Sequence, residues 1–136
     1  MERNIYCTVC RSQLRIGEYL VLSLKNRWND KGLVLLNAEP GNYSVTTHSS
    51  FTVKEGEDYT FYCPVCHTVL NDKEKPHLVK LFMEEDGRST VIYFSSIAGE
   101  KVTIMVNDRE VKELGPDQAR YQRYFDLQEE YRKYLH

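Results

Sequence analysis

The nine residues YCTVCRSQL (6–14) recur in closely similar form as YCPVCHTVL (62–70), 56 positions further along the chain. Each copy carries a Cys-x-x-Cys pair, and the two pairs contain all four cysteines of the 136-residue sequence. A Cys-x-x-Cys turn places two sulfurs close together, and Zn²⁺ prefers four such donors at the corners of a tetrahedron. The repeat therefore predicts two half-sites of one metal site.

The four candidate ligands are Cys7, Cys10, Cys63 and Cys66. A gap of 52 residues separates Cys10 from Cys63, whereas common zinc signatures leave about 15–20 residues between their pairs. The spacing alone is therefore weak evidence. The matched surroundings of the two pairs and the lack of an unpaired cysteine strengthen the prediction. Each pair follows a β-prone tyrosine and precedes polar residues, as expected for a turn at the end of a strand.

The two nonapeptides resemble the knuckles of zinc-ribbon modules and of rubredoxin, and the resemblance is strongest for CPVC at 63–66. It covers only the two nonapeptides. It implies that the four cysteines bind one structural metal ion, with zinc favoured and rubredoxin-like iron as the weaker alternative. Both families commonly place a glycine directly after each knuckle, where this chain has Arg11 and His67.

Arg11 and His67 are candidates for supporting the metal ligands from outside the coordination sphere. Four ionised cysteines around Zn²⁺ leave a net negative charge, which these two side chains could soften by hydrogen bonding or proximity. Four cysteines also complete the tetrahedron, so no position is open for a catalytic water. We therefore expect a structural site in a protein that is not an enzyme.

Two other uses of the cysteines compete with this interpretation. CPVCH at 63–67 satisfies the c-type haem attachment pattern, but haem would leave Cys7 and Cys10 without a role. Each pair is also a candidate dithiol redox centre, a motif that gains reactivity at a helix N-terminus. Neither pair precedes a helical pattern, so we favour the metal site over both alternatives.

The charge balance argues against a broad nucleic-acid surface. The chain carries 18 Lys and Arg against 20 Asp and Glu, for a net charge of −2, and neither half is basic. The N-terminus lacks the apolar core of a signal peptide, and no apolar run approaches the roughly 20 residues of a membrane helix. We predict a cytoplasmic protein without a membrane segment, in a compartment that keeps thiols reduced.

One local exception to this balance is KNRWNDKG at 25–32. Trp28, the only tryptophan, is flanked by Lys25, Arg27 and Lys31 at a predicted hairpin tip. A base could stack on the indole while the cations contact phosphates. In the plainer interpretation, which we favour, Trp28 folds back onto the sheet and the cations are ordinary turn residues.

The first half of the chain predicts a β-rich unit around the two cysteine pairs. The β-prone runs at 19–24 and 33–36 flank a turn-rich segment, as is typical of a hairpin. Further β-branched and aromatic residues at 43–53 precede the strand that leads into the second pair. We predict a zinc-ribbon-like subdomain over residues 1–72, with an inserted β region between its knuckles.

The second half predicts a β-meander followed by a helix. Asp86-Gly87 between two β-prone runs is a hairpin signal, and Gly115-Pro116-Asp117 is typical of a helix start. The predicted fold class is mainly β (α+β), with a subdomain at 73–136 that ends in an amphipathic helix over 116–136. About 60 residues bury little core alone, so the two subdomains are expected to pack together.

Four tyrosines of that predicted helix are candidate partner contacts: Tyr121, Tyr124, Tyr131 and Tyr134. The apolar and aromatic arc spans roughly 180°, wider than a minimal core-facing stripe. One side of the helix is expected to pack on the meander. The rest of the apolar and aromatic arc is expected to contact an unidentified protein partner or a second copy of the chain.

The remaining chemistry in the sequence is sparse. His48, His77 and His136 are scattered without a metal-binding spacing, and neither a P-loop nor a dinucleotide-binding glycine motif occurs. The predicted function is a non-catalytic, zinc-stabilised protein-binding or adaptor module. The alternatives are a nucleic-acid-associated zinc ribbon using Trp28 and a thiol-redox or rubredoxin-like electron-transfer protein.

Overall fold

The computed structural model describes residues 4–48, 51–107 and 110–121, which form two antiparallel β-sheets. The strands are β1 (Asn4–Tyr6), β2 (Arg15–Ile16), β3 (Tyr19–Lys25), β4 (Lys31–Asn37), β5 (Val45–Thr47), β6 (Thr60–Tyr62), β7 (Leu78–Glu85), β8 (Arg88–Ser95), β9 (Thr103–Val106) and β10 (Val111–Leu114). Sheet A has the order β1-β7-β8-β9-β10. Sheet B has the order β2-β3-β4-β5, with β6 also paired to β3.

Both predicted hairpins are confirmed. Strands β3 and β4 pair along their whole length, from Tyr19 opposite Asn37 to Lys25 opposite Lys31. The predicted meander is formed by β7, β8, β9 and β10 in sequence order. At the β7–β8 turn, Asp86 and Gly87 have φ of 54° and 76°, and positive φ at both central residues defines the two-residue turn that suits a twisted hairpin.

The chain contains two copies of one β-unit, each consisting of a strand, a cysteine turn and a meander. The equivalence extends to single hydrogen bonds beyond the turns. In the first copy the amide of Val21 donates to the Leu14 carbonyl at 2.9 Å, and in the second the amide of Lys80 donates to the Leu70 carbonyl at 3.0 Å. The repeated nonapeptide is thus the conspicuous part of a larger structural repeat.

The two copies exchange their first strands. Strand β1 of the first copy pairs with β7 of the second, with Tyr6 opposite Phe82. Strand β6 of the second copy pairs with β3 of the first, with Tyr62 opposite Ser23. At each cysteine turn the chain therefore passes from one sheet to the other. Separating the sheets would break both of these strand pairings.

The main core lies between the sheets. Alternate residues of β3 and β7 point inward, as the period of two in a strand requires. Leu22 in β3 and Leu81 in β7 are both fully buried, and they occupy equivalent positions in the two copies. The same cluster contains residues of both copies and two of the cysteines, Cys7 and Cys63.

The outer faces of the two sheets differ. On sheet A, a second apolar cluster is closed by residues of the chain itself: Leu78, Tyr93, Val102, Ile104, Val106 and Tyr121. On sheet B, the corresponding side is open to solvent; we define the open face as Tyr19, Val21, Leu33, Leu35, Tyr62 and Val69. Leu33 is 58% exposed and Tyr19 is 46% exposed.

The predicted C-terminal amphipathic helix is wrong for the residues that can be described. Gln118–Arg120 form a single 3-10 turn, and residues 4–48, 51–107 and 110–121 contain no α-helix. The carboxylate of Asp117 accepts a hydrogen bond from the Lys101 amide at 2.7 Å, so it links two loops and does not cap a helix. The fold class α+β is corrected to all-β over the described residues, and 122–136 lie outside them.

Strand pairing also joins residues on both sides of the subdomain boundary predicted at residue 72. Strand β1 lies before this boundary and pairs with β7, which lies after it. The main core likewise combines side chains from both parts. The division into units at 1–72 and 73–136 stays a prediction, since a shared core does not define where folding units begin and end.

Candidate metal centre

The four cysteine sulfurs converge on one point between the sheets. The Sγ atoms of Cys7, Cys10, Cys63 and Cys66 all lie within 4.8 Å of one another. Two distances join opposite turns, Cys7 to Cys66 and Cys10 to Cys63, and each is 3.7 Å. Sulfurs bound to one Zn²⁺ at about 2.3 Å in a tetrahedron are about 3.8 Å apart. The donor set therefore fits a four-coordinate metal ion.

The same distances exclude a disulfide between these atoms in this conformation. A disulfide requires an S–S distance of about 2.05 Å, and all four cysteines are free. In addition, each cysteine sulfur lies close to a cysteine sulfur of the other turn. Two separate dithiol centres would not require this proximity, and neither would covalent haem attachment at CPVCH. The geometry thus favours one shared site over the two alternatives.

The two cysteine turns have matching backbone hydrogen bonds. In the first, the Arg11 amide donates to the Cys7 carbonyl at 3.2 Å, and in the second the His67 amide donates to the Cys63 carbonyl at 2.9 Å. The Val9 and Val65 amides each donate to the first sulfur of their turn at 3.4 Å. Such N–H groups stabilise the negative charge of a thiolate. Each turn thus orients the first sulfur of its pair and stabilises its ionised form.

Arg11 and His67 support the site through their backbone conformation. Their φ values are 63° and 65°, the left-handed region that glycine adopts most easily. The two positions at which the similar zinc-ribbon and rubredoxin knuckles commonly have glycine thus adopt, in this chain, a conformation that suits glycine. In the described part of the chain neither side chain hydrogen bonds to a cysteine sulfur, and the Arg11 guanidinium lies 4.6 Å from the centroid of the Phe82 ring. A charge-softening role for either side chain stays a prediction.

Glycine and valine at position 67 should have different consequences for stability. A β-branched residue is poorly accommodated at positive φ, and left-handed backbone costs an L-residue about 1–2 kcal/mol. We expect His67→Val to have a free energy of unfolding about 1–2 kcal/mol below that of His67→Gly in urea titrations. The matched pair Lys73→Gly and Lys73→Val, at a position of ordinary φ, should not show this order. Equal stability of the two variants at 67 would contradict the assigned conformation.

Sequence analysis missed two hydroxyl residues beside the site. Ser12 Oγ lies 3.2 Å from Cys10 Sγ, and Thr68 Oγ1 lies 3.3 Å from Cys66 Sγ, at equivalent positions of the two turns. The signal was present in the sequence, because a hydroxyl residue stands two positions after the second cysteine of both nonapeptides. These hydroxyls are the side chains best placed to stabilise the two more exposed sulfurs.

Cys7 and Cys63 are buried, whereas Cys10 and Cys66 are partly exposed. Hydrogen bonding with Thr68 lowers the pKa of the Cys66 thiol to about 6, and hydrogen bonding with Ser12 lowers the pKa of the Cys10 thiol. Burial raises the pKa of the Cys63 thiol to about 12. A buried thiol with a raised pKa loses its proton when a metal ion supplies the compensating positive charge. Metal binding at this site is therefore coupled to the release of the Cys63 proton.

Metal affinity should fall as the pH falls, because every thiol protonated in the metal-free protein must release its proton on binding. Near neutral pH at least Cys63 is protonated, so the logarithm of the affinity should rise by one or more per pH unit. Below about pH 6 Cys66 is protonated as well, and the slope should steepen. Competition titrations with a chromophoric chelator across this range measure the slope. A pH-independent affinity would contradict binding through thiols.

The cationic residues predicted near Trp28 lie on the β3–β4 hairpin, and Trp28 does not fold back onto the sheet. The indole is 54% exposed. The Arg27 guanidinium lies 4.3 Å from its ring centroid and the Lys54 ammonium 5.7 Å away. Lys25 instead lies 5.7 Å from the Tyr62 ring, and Lys31 is exposed at the start of β4. The structure thus brings Arg27 and Lys54 to the indole, and sequence analysis did not identify Lys54.

Of the four tyrosines predicted to face a partner, only Tyr121 is described. It is 1% exposed, and its hydroxyl hydrogen bonds to the Glu100 carboxylate. Burial raises the pKa of Tyr121 to about 12. Tyr121 is therefore a core residue of the second cluster, while Tyr124, Tyr131 and Tyr134 lie outside the described residues. Self-association of the chain stays a prediction that the described residues do not test.

His77 and Asp58 form a polar link that the sequence did not suggest. His77 Nδ1 lies 2.9 Å from the Asp58 carboxylate, and the buried Ser96 hydroxyl donates to the other carboxylate oxygen. The carboxylate stands between the imidazole and the hydroxyl, so the imidazole is not placed to take the serine proton. The arrangement connects three loops without forming a nucleophile–base pair.

The described residues define a β-rich chain with a four-cysteine cluster, consistent with a zinc-ribbon-like module. Within those residues no helix is long and apolar enough to cross a membrane. The family models, curated proteins and solved structures compared with this chain include no match to it.

Proposed function

We propose that this chain is a non-catalytic, zinc-stabilised module that binds another protein. The observation that carries the proposal is the convergence of four cysteine sulfurs from two exchanged turns. Four thiolates satisfy the coordination preference of Zn²⁺ and leave no position for a reacting water. The metal ion holds together two turns that enter from opposite sheets, which is a structural role.

Zinc is distinguished from iron by analysis of the purified protein. Elemental analysis of untagged protein, produced without added metal, should give about one zinc per chain, and the solution should be colourless. A red protein with iron and a reversible one-electron couple would overturn the zinc assignment in favour of rubredoxin-like electron transfer. Metal-free protein with reactive thiols or disulfides would overturn the structural role.

The open face of sheet B is the proposed protein contact. Its six side chains are apolar or aromatic, and they lie side by side on neighbouring strands. On sheet A the chain covers the corresponding side with Tyr121 and its neighbours, whereas on the open face Tyr19, Leu33 and Val69 are exposed. Contiguous exposed apolar surface of this kind is typical of a protein-binding site, and aromatic residues are enriched in such sites.

A photo-crosslinking amino acid at Leu33 tests this surface in cells of the source organism. We expect one discrete crosslinked protein from position 33 and none from the control position Lys73, which is exposed and lies outside the open face. The same crosslink should be lost when Tyr19→Asp is added on the adjacent strand. A crosslink pattern that is identical at both positions would overturn the assignment of the open face.

A second candidate function, single-stranded nucleic-acid binding, is favoured by one observation. Trp28 is exposed and has two cationic side chains at its ring, as base stacking with phosphate contacts requires. Because Trp28 is the only tryptophan, its fluorescence reports binding directly. Quenching by oligo-dT that weakens with added salt would support this function. Unchanged fluorescence at low salt would remove it.

A further inference from the structure

A cavity of about 610 Å³ lies between the two sheets. Its walls include Leu24, Val34 and Leu36 from sheet B and Ile92 and Phe94 from sheet A. None of its lining residues is a cysteine, so it is separate from the metal centre. We call it the inter-sheet cavity.

The size of the cavity is unusual for a chain of this length. Protein interiors are close-packed, and voids larger than a water molecule are few. Pockets that bind small organic molecules have volumes of about 300–1,000 Å³. The inter-sheet cavity falls within that range, so a small organic molecule would fit inside it.

The walls of the cavity are mainly apolar, with polar side chains among them. Phe61 and Phe94 meet edge to face, with ring centroids 5.4 Å apart. The Tyr59 hydroxyl accepts a hydrogen bond from the Lys54 amide at 2.8 Å, and the Thr103 hydroxyl donates to the Tyr43 hydroxyl at 3.2 Å. In the described part of the chain, no buried side-chain nitrogen or oxygen lacks a partner. A ligand inside would gain free energy mainly by burying apolar surface.

The lining carries charges of both signs. Glu39, Glu55 and Glu100 contribute carboxylates, and Lys101 contributes an ammonium group; the Glu100 carboxylate is paired with Arg120. An anionic ligand would be repelled by the carboxylates and a cationic ligand by the ammonium group, whereas a neutral molecule would meet neither repulsion.

We propose that the inter-sheet cavity binds one neutral, mainly apolar organic molecule of small size. The two sheets supply its apolar contacts, and any polar atom of the ligand points to the solvent-exposed rim. This binding site does not depend on the identity of the metal or on the open face of sheet B.

Titration of the metal-loaded full chain with the neutral fluorescent probe N-phenyl-1-naphthylamine tests the proposal. We expect saturable binding of one probe per chain with increased fluorescence. Ala98 lines the cavity, and Ala119 is exposed outside it, so Ala98→Phe and Ala119→Phe form a matched pair. Ala98→Phe should weaken binding at least about tenfold, because the added ring occupies the cavity, while Ala119→Phe should bind as the unchanged chain does.

Absence of saturable binding to the unchanged chain would overturn the proposal, as would equal weakening by the two substitutions. Amide chemical shifts of the unchanged chain provide a second test that does not depend on a variant folding. Probe addition should shift the amides of Leu36, Phe94 and Ala98 and leave those of Val9 and Val65 at the metal turns unchanged. Shifts centred on the metal turns or on the open face would place the probe elsewhere and overturn the assignment.

Discussion

Cys63→Ser should release the metal and lower the free energy of unfolding by about 4 kcal/mol or more, because structural zinc contributes about 10–16 kcal/mol in small zinc-dependent folds. Cys63 is fully buried and accepts hydrogen bonds from the Val65 and Cys66 amides at 3.4 Å. A serine oxygen is a harder and weaker donor for Zn²⁺ than a thiolate. Urea unfolding together with elemental analysis measures both effects.

Val65→Ser is the matched control for this substitution. It introduces the same side chain into the same turn, at a position that is 58% exposed, so its effect should stay within about 0.5 kcal/mol. Stability that is the same for Cys63→Ser and the unchanged chain would contradict a structural role for the metal, as would an unchanged metal content.

Leu22→Ala and Leu81→Ala should each lower the free energy of unfolding by about 2–5 kcal/mol, the range for a leucine removed from a packed core. The two residues are fully buried and occupy equivalent positions in opposite sheets. Because the exchanged strands join the sheets around one core, each variant should unfold in a single transition seen equally by circular dichroism and by Trp28 fluorescence.

Leu33→Ala provides the control for these two variants. Leu33 lies on the open face and is 58% exposed, so the same truncation should cost at most about 0.5 kcal/mol. Two separated transitions in either core variant would contradict the shared core. They would favour two sheets that fold independently.

The candidate ligand set of four cysteines could be predicted from the sequence because the information is local. Each Cys-x-x-Cys turn brings two sulfurs together within a few residues. Because the sequence has two such pairs and no other cysteine, a four-sulfur site must use both pairs. The hairpins were predictable for the same reason, since Asp86-Gly87 and the alternation of β3 are signals within a few residues of one another.

The exchange of β1 and β6 could not be predicted in this way. Strand pairing between residues such as Tyr6 and Phe82 depends on contacts that no short window of sequence contains. The structural repeat beyond the nonapeptides also cannot be recognised in the sequence. Equivalent positions such as Ser23 and Phe82 have different residue types, because each residue packs against different neighbours. Only a few of them, such as Leu22 and Leu81, keep the same residue.

The helix prediction failed because the same residues also suit a connection between loops. Gly115-Pro116-Asp117 has the composition of a helix start, but Gly115 has a φ of 96°, and Asp117 hydrogen bonds to the backbone of Lys101. A Cβ on Gly115 would lie 2.2 Å from the Lys101 carbonyl oxygen. Tertiary contacts therefore override the local preference at this position.

X-ray absorption at the K edge of the bound metal tests the four-cysteine centre most directly. For zinc, the account predicts a single shell of four sulfur atoms at about 2.3 Å, with no nitrogen or oxygen neighbour. That result would establish that both turns bind one ion. A shell with fewer than four sulfurs, or with nitrogen or oxygen among the ligands, would contradict it.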